Sequence, residues 1–228
     1  MSLPAGKADA STFKRPFFQG EKTLPRFRAS THCRAKTHLL SADATTTLLL
    51  AVDLQPAFLD AIPGGARALR RAAFAVAAAK GLGLPIAFTE QVPAKLGPTA
   101  PALLALAPGA PVFAKETFSA LADDAIRTAL LEKRQTDHLL LCGIETPICI
   151  HQTALDARRA GLEVTLLSDA IGARRADDAE ACLTALRAAG VHVIPSETVF
   201  YSLLGSARHP FFRDFTRLVK THAEPTAN

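Results

Sequence analysis

Apolar residues recur in six short runs between residues 47 and 194, and stretches with helical periodicity lie between most of them. The runs are Thr47–Val52, Pro85–Thr89, Val112–Ala114, Leu139–Cys142, Glu163–Leu167 and Val191–Ile194. Thr47-Leu48-Leu49-Leu50-Ala51-Val52 and Leu139-Leu140-Leu141-Cys142 are continuous rather than alternating, the pattern of strands buried on both faces. Ala66–Lys80 predicts a helix whose core-facing stripe is Leu69, Ala73, Val76 and Ala77, ended by Gly81 and Gly83. Asp123–Lys133 and Asp177–Ala189 predict further helices, and residues 196–204 and 210–219 short closing ones. Strands alternating with helices predict a three-layer α/β/α domain over residues 45–219, on a mostly parallel, six-stranded, Rossmann-like sheet. Right-handed crossovers and a switch point gather the carboxyl ends of such strands at one edge, where ligands bind.

The stretch Asp137–Gly161 places chemistry at that edge. A break at Gly143 follows the buried strand. Thr146 then reads as a helix N-cap and Pro147 as its first residue, with the helix ending near Gly161. Cys149 falls in the first helical turn. Free N–H groups and the positive end of the helix dipole favour a thiolate there, and the same groups suit an oxyanion. The competing reading is a small apolar residue packed under the helix.

Asp53 and Lys115 also follow strands. Taken singly, Asp53 reads equally as a turn or cap residue, and Lys115 as a solvated lysine. Together the three put an acid, an amine and a thiol in one cleft, the makings of an activated nucleophile. An ammonium would hold the thiolate ionised, and the carboxylate would carry a proton to a leaving amine. The Pro/Gly-rich stretch 90–98 reads as a loop forming one pocket wall. Gln55, Phe58 and Gln91 are the candidate substrate-binding side chains. Asp169, at a strand end, reads as a turn or cap residue. Cys142 and Cys182 read as packing residues.

Composition changes the picture in two places. The 228 residues, 49% of them hydrophobic, suffice for one substantial core. The net charge of +5 is misleading, because residues 1–40 alone carry eight Lys/Arg against Asp9 and Glu21 and leave −1 for the rest. The folded body therefore shows no nucleic-acid signature. Residues 1–44 read as a disordered basic tail and 220–228 as a C-terminal tail. Four cysteines without a CxxC pair suit a reducing compartment, and no run reaches the ~18 apolar residues of a membrane span. His32-Cys33 lacks metal-ligand spacing. The expected location is cytoplasmic, or an organelle if the Arg/Ser/Thr-rich tail is a transit peptide.

Three segments carry a resemblance: LLLAVDLQPAF with Asp53, VFAKETFSAL with Lys115, and GIETPICIHQTALDARRAG with Cys149. Over roughly residues 46–218 the chain resembles the isochorismatase-like cysteine hydrolases, a superfamily that includes nicotinamidases and N-carbamoylsarcosine amidases. TEQVPAKLGPTAPAL and SETVFYSLLGSARHPFF look like the branch of isochorismatase domain-containing proteins. The resemblance implies a catalytic triad of Asp53, Lys115 and Cys149. It also implies a non-proline cis peptide between Ile144 and Glu145, and an oxyanion hole from the N–H groups of Glu145 and Cys149. The implied reaction is hydrolysis of a small amide-like substrate through a thioester, in a homo-oligomer without cofactors. Nicotinamidases carry a metal site built on an Asp-x-His motif. Glu90-Gln91 stands there instead, which implies no metal and argues against nicotinamide. Isochorismatases proper cleave a vinyl ether without a cysteine, so Cys149 argues against that reaction. The alternative from another class is a catalytically idle relative that serves as a binding or assembly subunit.

Overall fold

The structure is a computed structural model in which residues 46–223 are described. The expectations for the tail at 1–44 and its targeting role, for His32-Cys33 and for the last residues from 224 on lie outside them.

Six strands form one sheet: β1 Thr47–Val52, β2 Ile86–Gln91, β3 Val112–Lys115, β4 His138–Ile144, β5 Glu163–Gly172 and β6 His192–Ile194. All five pairings are parallel and the order is β3-β2-β1-β4-β5-β6, a doubly wound sheet whose switch point lies between β1 and β4. The helices are α1 Pro56–Leu59, α2 Gly65–Gly81, α3 Pro93–Leu96, α4 Pro101–Leu106, α5 Asp124–Arg127, α6 His151–Arg159, α7 Ala176–Ala188, α8 Ser196–Leu204 and α9 Phe212–Thr221. No helix among the described residues is long and apolar enough to cross a membrane.

The continuous apolar runs follow from two cores, one on each face. Leu49 and Ala51 of β1, with Leu140 and Cys142 of β4, pack with Phe74, Phe200 and Phe215. Leu48, Leu50, Val52, Leu139 and Leu141 pack on the other side with Ile126, Leu130, Ile150 and Leu186. Each side chain of the period-2 strand therefore meets an apolar layer.

Four local differences from the sequence reading have identifiable causes. The inward face of α2 is Ala68, Ala72, Phe74, Ala75, Val76, Ala78 and Ala79, while Leu69, Ala73 and Ala77 are only partly buried. The helix is rotated so that Arg71 is buried as well. Arg71 donates to Asp169 at 2.7 Å, to Ser196 Oγ at 2.8 Å and to the His222 carbonyl at 3.2 Å, with its guanidinium 4.5 Å from the centre of the Phe74 ring. β5 continues to Gly172 through a register shift around Ser168–Ala170, where Asp169 turns to Arg71 and to the N–H of Ser196. β2 continues through Glu90 and Gln91, so the loop begins later. Glu145, rather than Thr146, occupies the cap position, and residues 146–150 make a wide π-type turn before α6.

At Gly143 the end of β4 lies tight against the end of β1. This glycine has φ 123°, and a Cβ there would lie 2.0 Å from the Val52 carbonyl oxygen. Only glycine fits between the ends of β1 and β4.

Candidate active site

Asp53 follows directly on β1 in a left-handed conformation, φ 53°, which aspartate tolerates better than most residues. Its N–H donates to the Thr89 carbonyl at 3.0 Å, and Thr89 Oγ1 donates to Oδ1 at 2.8 Å. The other carboxylate oxygen, Oδ2, accepts from Lys115 Nζ at 2.7 Å, with both side chains 0% exposed. Lys115 ends the edge strand β3. Its ammonium also donates to Gln91 Oε1 at 2.6 Å and to the carbonyls of Thr117 and Phe118 at 3.1 and 3.2 Å, and it lies 3.7 Å from Cys149 Sγ. The three residues singled out in the sequence therefore converge. Cys149 is 6% exposed, more than Asp53 or Lys115.

The wide turn frames the thiol. The Glu145 carbonyl accepts from Ile148 at 3.1 Å and from Ile150 at 3.2 Å, the two residues flanking Cys149. The Ile144–Glu145 peptide is cis. The Glu145 carboxylate pairs with the exposed Arg174 at 3.0 Å. Thr146 Oγ1 donates to the Gly172 carbonyl at 3.1 Å, joining the turn to the end of β5.

Electrostatics reverse one expectation. The Cys149 thiol is not poised low but pushed from 9.0 up to about 12, first by burial and then by the Asp53 carboxylate, with the Lys115 ammonium offsetting only part. Lys115 is already paired with Asp53, so its charge is not available to the sulfur alone. The thiol is therefore neutral at rest. Alkylation of Cys149, followed by peptide mass spectrometry, is expected to keep accelerating with pH above 9 instead of levelling off near neutrality. A plateau below pH 8 would contradict this geometry.

The same shift enters stability with a definite sign. The folded thiol keeps a proton that the unfolded chain releases near 9, so the contribution is intact below that pH and is lost as pH rises toward 12. Cys142 is pushed up to about 12 as well, by burial and by Asp169, and acts in the same direction. Urea midpoints should therefore fall on the alkaline side, less steeply in Cys149→Ala.

The proposed pocket walls take different positions. Gln55 is fully buried: Nε2 donates to the carbonyls of Gln91 at 3.1 Å and Gly97 at 2.6 Å, and Oε1 accepts the Gln91 N–H at 2.7 Å. It ties the end of β2 to the following loop. Gln91 touches Lys115, and its Nε2 donates to the Glu116 carbonyl at 3.0 Å. Phe58, on α1, is half-buried against the α2-side core. Two threonines went unnoticed in the sequence. Thr89 orients Asp53, and Thr153 Oγ1 accepts the Ala120 N–H at 3.0 Å, holding the segment after Lys115. Neither leaves a periodic signal, since each depends on contacts between distant segments. Among the described residues no three His, Cys, Asp or Glu side chains are placed to hold a metal ion. Glu90 instead accepts the Thr99 N–H at 2.7 Å. A groove of about 580 Å³ between α2, α4 and α9 is lined by Ala77, Leu106, Phe211 and Leu218 and includes none of the candidate site residues.

The family model of the isochorismatase domain matches residues 47–198. The chain belongs to the isochorismatase family. Its relatives include isochorismatase domain-containing protein 2 of Bos taurus, 40% identical over 139 residues that cover 61% of this chain and 66% of that protein. The structure of MAR1 ribonuclease from Caenorhabditis elegans is 29% identical, with TM-score 0.75 over 82% of this chain and 95% of that one. The YcaC gene product of Escherichia coli, described as an octameric hydrolase of unknown specificity, shares the fold at 22% identity, with TM-score 0.74 over 80% and 90% of the two chains. Isochorismatase-family membership supports a hydrolase role on a three-layer α/β scaffold.

Proposed function

We propose that this isochorismatase-family protein is a metal-independent cysteine hydrolase that cleaves a C–N bond in a small amide-like substrate. The observation that carries the reading is the buried Asp53–Lys115 pair, with the Cys149 sulfur 3.7 Å from the ammonium at the start of a helix. Because the resting thiol is neutral, attack and deprotonation are coupled. As Sγ bonds to the substrate carbonyl carbon, its proton passes to Asp53, whose carboxylate retains lone pairs beyond those used by Thr89 and Lys115. The N–H groups of Glu145 and Cys149 hold the oxyanion. The tetrahedral adduct expels the amine, which takes the proton from Asp53, and a thioester remains. Water then attacks with Asp53 as base, releasing the carboxylic acid and restoring the thiol. The Lys115 ammonium steadies the Asp53 carboxylate and the negative charge that develops on the sulfur as its proton leaves, while Phe58 forms an apolar wall.

The test is a panel of small amides, carbamoyl compounds and esters, with RNA included because one related structure is named a ribonuclease. Added hydroxylamine should divert part of the product of any amide substrate to the hydroxamate, since a thioester is open to a second nucleophile. Hydrolysis that yields acid alone and persists without Cys149 would overturn the reading. If nothing is turned over while light scattering shows a stable homo-oligomer, the assembly-subunit reading gains ground without being established.

A further inference from the structure

We propose that Gln91 is a positioning residue for Lys115: it fixes where the ammonium sits between the Asp53 carboxylate and the Cys149 sulfur. This rests on the cysteine-hydrolase reading above. An ammonium has three N–H donors, and five acceptors surround this one: Asp53, Gln91, the Thr117 and Phe118 carbonyls, and Cys149. Position is therefore decided by competition. The shortest contact, 2.6 Å, is to Gln91 Oε1.

The glutamine is held so that it cannot yield. Its Nε2 donates to the Glu116 carbonyl at 3.0 Å, so turning the amide over would set NH₂ against the ammonium and oxygen against a carbonyl. Its main chain is clamped from both sides by Gln55, which accepts the Gln91 N–H at 2.7 Å and donates to the Gln91 carbonyl at 3.1 Å. Gln55 also donates to the Gly97 carbonyl at 2.6 Å, so this clamp includes the loop beyond β2. Both ends of the Gln91 amide already have partners. Its oxygen is the end that faces the ammonium, which makes it a positioning group for Lys115.

A neutral oxygen suits this place. It retains the ammonium without setting a second negative charge beside the sulfur. A carboxylate here would hold Lys115 harder and oppose the thiolate. An apolar side chain would free one N–H to turn toward the sulfur and favour the thiolate. The two replacements therefore act in opposite directions, which loss of a merely structural contact does not produce.

The experiment is iodoacetamide alkylation at pH 8 of the full-length protein, Gln91→Glu and Gln91→Met, with the peptides of Cys149 and Cys182 quantified in the same digest. Cys182, partly exposed on α7, reports any general loosening. Relative to Cys182, Cys149 alkylation should slow about tenfold for each pKa unit added in Gln91→Glu, and rise about threefold or more in Gln91→Met. Rates that move in the same direction, or by less than about twofold in both, overturn the proposal. Alkylation needs no substrate. Unchanged alkylation alongside Cys149-dependent hydrolysis would remove this proposal alone, and opposite shifts without any hydrolysis would remove only the hydrolase reading.

Discussion

Cys149→Ala is expected to abolish hydrolysis of any substrate found while leaving the protein folded. Cys149 is slightly exposed, whereas the two groups bonded to the Asp53 carboxylate, the Thr89 hydroxyl and the Lys115 ammonium, are buried more deeply. Removing a covalent nucleophile should lower kcat/KM by on the order of 10⁴-fold or more, about 5 kcal/mol or more of barrier. The structural cost is small by comparison. One sulfur atom leaves a site packed against the β4–α6 core, worth about 1 kcal/mol, and one acceptor of the Lys115 ammonium is lost among five. Far-ultraviolet circular dichroism and the melting temperature should stay close to those of the parent while turnover disappears. Activity within tenfold of the parent would mean that the bond-breaking group lies elsewhere.

Lys115→Met is expected to be the most destabilising single replacement in the site. It leaves the Asp53 carboxylate buried without its charged partner, with only neutral donors such as Thr89 Oγ1 beside it. Breaking a buried pair from one side typically costs about 3–5 kcal/mol, because the remaining charge is uncompensated. For a domain of this size that lowers Tm by roughly 6–20 °C. Removing both charges, in Asp53→Asn with Lys115→Met, should recover much of the loss. Thermal melts of the two single variants and the double variant measure this directly. A double variant that melts at the sum of the two single losses would show that the residues do not act as a pair.

The parts of this molecule legible in its sequence are those that depend on local pattern. Leu48–Val52 and Leu139–Cys142 declare buried strands because both of their faces meet core, and the alternation of strands with helices then leads to the sheet. Asp53, Lys115 and Cys149 stand out because each follows a strand. What local pattern cannot carry is the rotation of α2. Its alanines fit either way, and the choice is made by Arg71 reaching Asp169, 98 positions later. The register shift in β5 falls at the same Asp169 and likewise leaves no local signal. The thiol is the instructive case. Residue types alone pair a lysine with a cysteine and suggest a thiolate, whereas the distances show the lysine nearer to Asp53, at 2.7 Å against 3.7 Å to the sulfur.

Gly143 bears on how the site could be altered by design. Backbone touches backbone between β1 and β4 there, with no room for even a methyl group. The spacing between the acidic and thiol halves of the cluster is thus set by the van der Waals radii of main-chain atoms, and not by any exchangeable side chain. Replacement of Phe58, on α1, leaves that spacing unaltered. A library that includes position 143 would misalign every member at once.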